Sequence, residues 1–245
     1  APLGNNFTSA WQSCSSLQSF PAGAKLGTSA SNVNFTSAWQ QSGLTSFPDL
    51  DLSNGNAFTN AWRDSSLTSF GSNTQLGTNS QNVDFVNAWF NTGLTSFPAL
   101  DLSNGINFSA AFYSTPNLTS FPQDAKLGTS ASNVNFTSAW QQSGLTSFST
   151  PLPSGDSFYA SWRDCTNLSS FSSEINGTNV RFTWYGCSSL TSFSTPLPLA
   201  QRLDLAWQNC TSLLDFSADV FANWNPSTLS TGIFNGTWDG CTSLT

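Results

Sequence analysis

Five cysteines, nine Asn-x-Ser/Thr sequons and a few acidic residues set close together are the side chains here whose types and spacing point to chemistry. Cys14, Cys165, Cys187, Cys210 and Cys241 share one position, each three residues after a tryptophan. That constancy predicts a ladder of small buried thiols, since an unpaired cysteine packs as a small apolar residue. A disulfide between neighbours such as Cys165 and Cys187 would require parallel side chains to turn toward each other, and the number of thiols is odd. A metal site is rejected, because converging ligands are needed and the chain has no histidine.

The sequons begin at Asn6, Asn34, Asn107, Asn117, Asn135, Asn167, Asn176, Asn209 and Asn235. An Asn cap beside Ser/Thr-rich turns generates such triplets by composition alone. In a source that glycosylates them, they place sugars in rows along the molecule. Asp49, Asp51 and Asp101 lie in D-L-D or similar strings that lack the full loop of oxygen ligands calcium needs. The pairs Arg63-Asp64 and Arg163-Asp164 read as solvated surface charges of little energetic weight. Serine is plentiful, but without histidine the usual activated nucleophile is missing, and the 13 acidic residues are dispersed. The expectation is a protein that is not an enzyme and carries no cofactor and no metal.

Composition supports a packed core despite few charges. Only 8% of residues are charged, against about 25% in an ordinary globular domain. The 21 Phe and 10 Trp nevertheless supply large apolar surfaces to bury. A net charge of −7 with six scattered Lys and Arg argues against nucleic-acid binding. No apolar run approaches the roughly 20 residues of a bilayer helix, so membrane insertion is not expected.

What positions these residues is a repeat. Ala24 to Phe47 recurs unchanged from Ala125 to Phe148, and Leu76 to Phe97 is a looser copy. Aligned on F-x-x-A-W, Leu and S-F, the chain holds ten copies, anchored at Trp11, Trp39, Trp62, Trp89, Phe112, Trp140, Trp162, Trp184, Trp207 and Trp238. Successive anchors are 22 to 31 residues apart, a period typical of leucine-rich-repeat solenoids.

Within a copy, Phe35, Ala38 and Trp39 fall at i, i+3 and i+4 behind Asn34, which predicts a short capped helix. Leu44 to Phe47 and the stretch to Leu52, closed by Ser53-Asn54-Gly55, predict a strand and turn. The expected fold is a leucine-rich-repeat-like solenoid. Short strands form a parallel β-sheet on one face, with short helical turns on the other. About ten coils make one domain over residues 1–245, a rod roughly 50 Å long at strand spacing. Outward Thr45, Thr68, Thr95, Thr119, Thr146 and Thr191 then form an array one coil apart. Such an array suits ice or a repetitive carbohydrate, and equally clothes any solvated sheet.

The string Ala10-Trp11-Gln12-Ser13-Cys14-Ser15-Ser16-Leu17-Gln18-Ser19-Phe20 resembles the A-F-x-x-C-x-x-L-x-x-I unit of BspA-like leucine-rich repeats. It also resembles the related mycoplasma-type surface repeats. Trp stands for the usual Phe, and half of the copies lack the Cys. The resemblance implies a solenoid exposed at a cell or virion surface with an adhesive role, and names no ligand.

The sequence opens at Ala1 without a Met, which reads as a processed form or an excerpt. Neither end shows a polar capping repeat, and the two ends are nearly complementary in phase. The leading expectation is an extracellular structural protein, either a subunit whose rods stack end to end into a fibre or the stalk of a longer adhesin of which this chain is an excerpt. The alternative is a receptor- or glycan-binding module, with the irregular stretch around Asn223, Trp224 and Pro226 as its contact. The partners expected are further copies of the chain, and glycans or a cell-surface protein.

Overall fold

The computed structural model describes residues 1–222 and 233–245; Asn223, Trp224 and Pro226 lie outside the described residues. The chain winds into a parallel β-solenoid. One seven-stranded sheet takes a two- or three-residue strand from each of seven successive coils. These are Val33–Asn34, Gly55–Ala57, Val83–Asp84, Gly105–Asn107, Val134–Asn135, Gly155–Ser157 and Gly177–Asn179. Single bridges, Asn6 to Asn34 and Asn179 to Arg202, extend it at both edges. Seven strands with a bridged coil at each edge make nine coils, about eight coil-to-coil turns of regular pairing against the ten copies in the sequence.

This sheet does not sit where the sequence reading put it. The Leu-Thr-Ser-Phe segments do lie parallel, joined coil to coil by N–H bonds from Thr45, Thr68, Thr95, Thr119 and Thr146, but they form regular strands only in twos, as Ser46–Phe47 with Ser69–Phe70 and Ser147–Phe148 with Ser170–Phe171. The main sheet is built instead from the residues read as helix caps. A third row pairs Asp51–Leu52 with Gln75–Leu76 and Asp101–Leu102 with Lys126–Leu127. In the Ser-Phe and Asp-Leu rows the polar residue is exposed and the apolar one buried, as strand alternation requires.

The helical turns are absent. Among the described residues the only helix is a 3₁₀ turn at Ala218–Phe221, capped by the Ser217 hydroxyl. The reason lies in where the backbone N–H groups go. Phe35, Ser37, Trp39 and Gln41 donate across to Ala57, Thr59, Ala61 and Arg63 of the next coil, each at 2.8 Å. Ala38, Gln40 and Ser42 donate back three residues, to Phe35, Ser37 and Trp39. An α-helix spends every interior N–H inside itself, whereas here every second one joins coil to coil. The chain can alternate in this way because Ser37 and Gln41 adopt φ of 56° and 55°, and the equivalent pair recurs at Asn60 and Asp64. Each such residue costs about 1–2 kcal/mol. A neighbour-to-neighbour hydrogen bond at each step and the packed rings offset that cost.

The core is three ladders of side chains. The ten anchor rings stack from Trp11 to Trp238 at centroid spacings between 4.9 and 6.1 Å. Phe7, Phe35, Phe58, Phe85, Phe108, Phe136 and Phe158 form a second stack beside them. The third, Phe20 to Phe216, meets the anchors edge-on; Phe47 lies 4.9 Å from Trp39 and 5.0 Å from Trp62, nearly perpendicular to both. Each buried indole removes about 200 Å² from water, a gross gain of about 5 kcal/mol. Coil separation is set by backbone contact: a Cβ on Gly144 would lie 2.0 Å from the Pro116 carbonyl oxygen. Gly128, at φ +64°, closes a corner in the same way against Val134 and the Gly105 carbonyl.

Candidate functional site

The Asn residues read as caps do bind backbone, through a different motif. The Oδ1 atoms of Asn6, Asn34, Asn107 and Asn135 accept the N–H two residues on, at 3.0, 2.8, 3.1 and 2.9 Å. Asp84 and Asn179 do the same at their own coils. These are Asx turns, which redirect the chain from strand into the turn segment. Asn117, Asn167 and Asn235 are exposed. The Nδ2 of Asn176 donates to Glu174 and that of Asn209 to the Tyr185 hydroxyl.

Cys165, Cys187 and Cys210 are buried, Cys241 is half-buried and Cys14 exposed, and all five are free thiols. Each of the later four donates Sγ–H to the anchor carbonyl of the preceding coil: Cys165 to Trp140, Cys187 to Trp162, Cys210 to Trp184 and Cys241 to Trp207, at 3.0–3.1 Å. Burial pushes the Cys165 thiol up to about 11. Cys187, Cys210 and Cys241 also rise, by burial first and then by neighbouring thiols or Asp239. Such groups stay protonated and inert at neutral pH. In coils two to six the same position is Ser42, Ser65, Thr92, Thr115 and Ser143. There Ser65, Thr92 and Thr115 bond instead to the anchor carbonyl of their own coil.

The acidic residues are occupied locally. Asp51 accepts from Ser53, Asp101 from Ser103 and Lys126, and Asp49 from Asn73. Burial pushes the Asp101 carboxyl up, but the Ser103 bonds and the Lys126 ammonium outweigh it and hold it below the usual range. Among the described residues no three potential ligands converge on a metal position. Along the threonine row, the hydroxyls of Thr68 and Thr146 donate to the carbonyls of Thr45 and Thr119, so this row caps exposed backbone.

Sequence reading missed a surface row of arginines over rings. Arg63 sits 4.6 Å over Phe90, and Arg163 4.8 Å over Tyr185. Arg181 lies 6.0 Å from Tyr159 and 5.6 Å from Phe182, while pairing with Asp204 at 3.0 Å. The signal was available: Arg63 and Phe90, like Arg163 and Tyr185, hold the same place one residue after successive anchors. Arg163, Arg181 and Arg202, three of the six cationic side chains, thus gather with Tyr159, Phe182 and Tyr185 on one stretch of the rod.

The two end faces are the remaining candidates. On the turn side, hydrogen bonds run one way, from N–H groups of one coil to carbonyls of the next. The first coil therefore turns the carbonyls of Thr8, Ala10 and Gln12 outward, and the last turns out the N–H groups of Gly236, Trp238 and Gly240. Among the described residues none of these six groups has a hydrogen-bond partner. Apolar surface accompanies them, since Leu3 is 80% exposed at one end and Phe234 41% exposed at the other. Trp11 and Trp238 are only half-buried, unlike the interior anchors.

The structure defines the protein as a parallel β-solenoid with a periodic aromatic core. No protein-family model matches the chain, and searches of curated proteins and of solved structures found no match.

Proposed function

We propose that the protein is an extracellular structural subunit whose rods stack head to tail into a fibre. The observation that carries this reading is the uniformity of the coil-to-coil contact: turn-side N–H groups run one way from each coil to the next, and one ring ladder continues through all ten anchors, so the same contact can be repeated from rod to rod. A contact that joins unlike faces cannot close on itself in a straight rod, so it propagates. The likeness of the repeat to BspA-like surface proteins, and of its sequons to glycosylation sites, fits a place outside the cell. The reading assigns the protein no reaction. Sedimentation velocity over a dilution series tests it: mass per particle must rise with concentration, and a single rod-sized species throughout rules the fibre out.

The cluster of Arg163, Arg181, Tyr159, Phe182 and Tyr185 favours a second reading, a binding module for acidic glycans. Flat rings stack on sugar faces while guanidinium groups pair with carboxylates. A glycan array should then show retention of uronic- or sialic-type sugars that Tyr185→Ala with Arg163→Ala removes; equal binding by parent and variant ends this reading.

A further inference from the structure

Coils two, four and six, counted by anchor, each carry an added, mostly exposed segment just ahead of the main-sheet strand, over residues 27–32, 77–82 and 128–133. The short coils between them hold only Ser53-Asn54 and Ser103-Asn104 at that place, as the pairing of Val33 with Gly55 and of Val83 with Gly105 shows. Two grooves result, each floored by one short coil and walled by ridges two coils, or about 10 Å, apart.

The two grooves share a backbone and differ in what fills them. Asn79 N–H donates to the Ser53 carbonyl and Ser130 N–H to the Ser103 carbonyl, both at 2.9 Å. The floor amides match as well: Nδ2 of Asn54 donates to the Gly27 and Thr28 carbonyls, and that of Asn104 to those of Gly77 and Thr78. In the first groove the Asn79 amide reaches across, donating to Ser53 Oγ at 3.0 Å and to Asn54 Oδ1 at 3.2 Å. In the second, the equivalent residue is Ser130, which makes neither bond. Among the described residues nothing donates to Asn104 Oδ1. A cavity of about 310 Å³ opens there, between Gln81 and Asn82 on one wall, Ser130 and Ala131 on the other, and Asn104 beneath.

We propose that this second groove binds a neutral sugar, a pyranose unit of an uncharged polysaccharide. Its volume lies at the small end of ligand sites, which suits one or two rings. The lining offers three amides, a hydroxyl and one methyl, and no charged group. Each amide supplies both a donor and an acceptor, the combination that neighbouring sugar hydroxyls require. A peptide would find no apolar pocket for an anchoring side chain, and an anionic glycan no cation in the lining. The site shares no residue with the arginine–ring cluster and does not depend on assembly into a fibre.

Isothermal titration with cellopentaose, maltopentaose, mannopentaose and N-acetylchitopentaose tests the site through two reciprocal substitutions. Ser130→Asn supplies the plug that Asn79 provides next door, and should weaken binding about tenfold or more while the thermal melt stays unchanged. Asn79→Ser unplugs the first groove and should add a second, weaker site, since Ser31 stands there in place of Gln81. Failure of the parent to bind any of the four sugars overturns the proposal, as does binding that Ser130→Asn leaves intact. Retention of acidic sugars alone, lost with Arg163→Ala and untouched by Ser130→Asn, places recognition at the arginine cluster and overturns this site.

Discussion

Replacing Ala10 with arginine is expected to leave the single rod folded and abolish its association. Ala10 is exposed on the first coil, whereas its counterparts Ala38, Ala61, Ala88, Ala111 and Ala139 are completely buried under the preceding coil. The substitution therefore disturbs nothing within one chain. At a head-to-tail junction it drives an unpaired charge into the space Ala38 occupies internally. An uncompensated buried charge costs about 3–5 kcal/mol, or roughly two to four orders of magnitude in the association constant. The check is paired: an unchanged thermal melt by circular dichroism, and sedimentation as a rod-sized species at concentrations where the parent polymerises. A variant that still polymerises shows that this face is not the junction.

The second large effect lies within the rod. Trp140→Ala removes a fully buried ring that stacks on Phe112 at 6.1 Å and Trp162 at 5.1 Å, and packs against Phe148 at 4.7 Å. Truncating a buried tryptophan costs about 3–5 kcal/mol. In a solenoid each coil touches only its neighbours, so that loss falls on two interfaces in mid-rod and uncouples the segments on either side. Thermal unfolding followed by near-ultraviolet circular dichroism should change from one transition to two, the first well below the parent's. A single transition at the parent's temperature contradicts the ladder as the source of cooperativity.

The repeat and its inward side chains were legible in the sequence, because Phe, Trp and Leu recur at fixed places whatever the backbone does between them. The backbone itself was misread. Phe35, Ala38 and Trp39 at i, i+3 and i+4 satisfy a helical pattern, but they face inward through turns that advance four residues at a time. Side-chain periodicity reports which residues point in and is silent on where N–H groups donate. The better signal was at two positions flanking each anchor, held by Ser37 and Gln41, Asn60 and Asp64, or Gly236 and Gly240. Asn, Asp and Gly enter left-handed conformations most readily, and their recurrence marks paired turns. The same error displaced the sheet, since the residues taken as caps were its strands. Of the candidate surfaces, the arginine–ring row was visible only by comparing one coil with the next. The polarity of the ends needed the hydrogen-bond directions and was not in the sequence.

Electron microscopy of the purified chain, at concentrations where sedimentation shows growth, tests the head-to-tail account most directly. The account predicts unbranched fibres one rod wide, with the coil spacing unbroken across junctions and an axial repeat of about 50 Å for ten coils at strand spacing. Isolated rods at every concentration, or assemblies in which rods lie side by side, would contradict it.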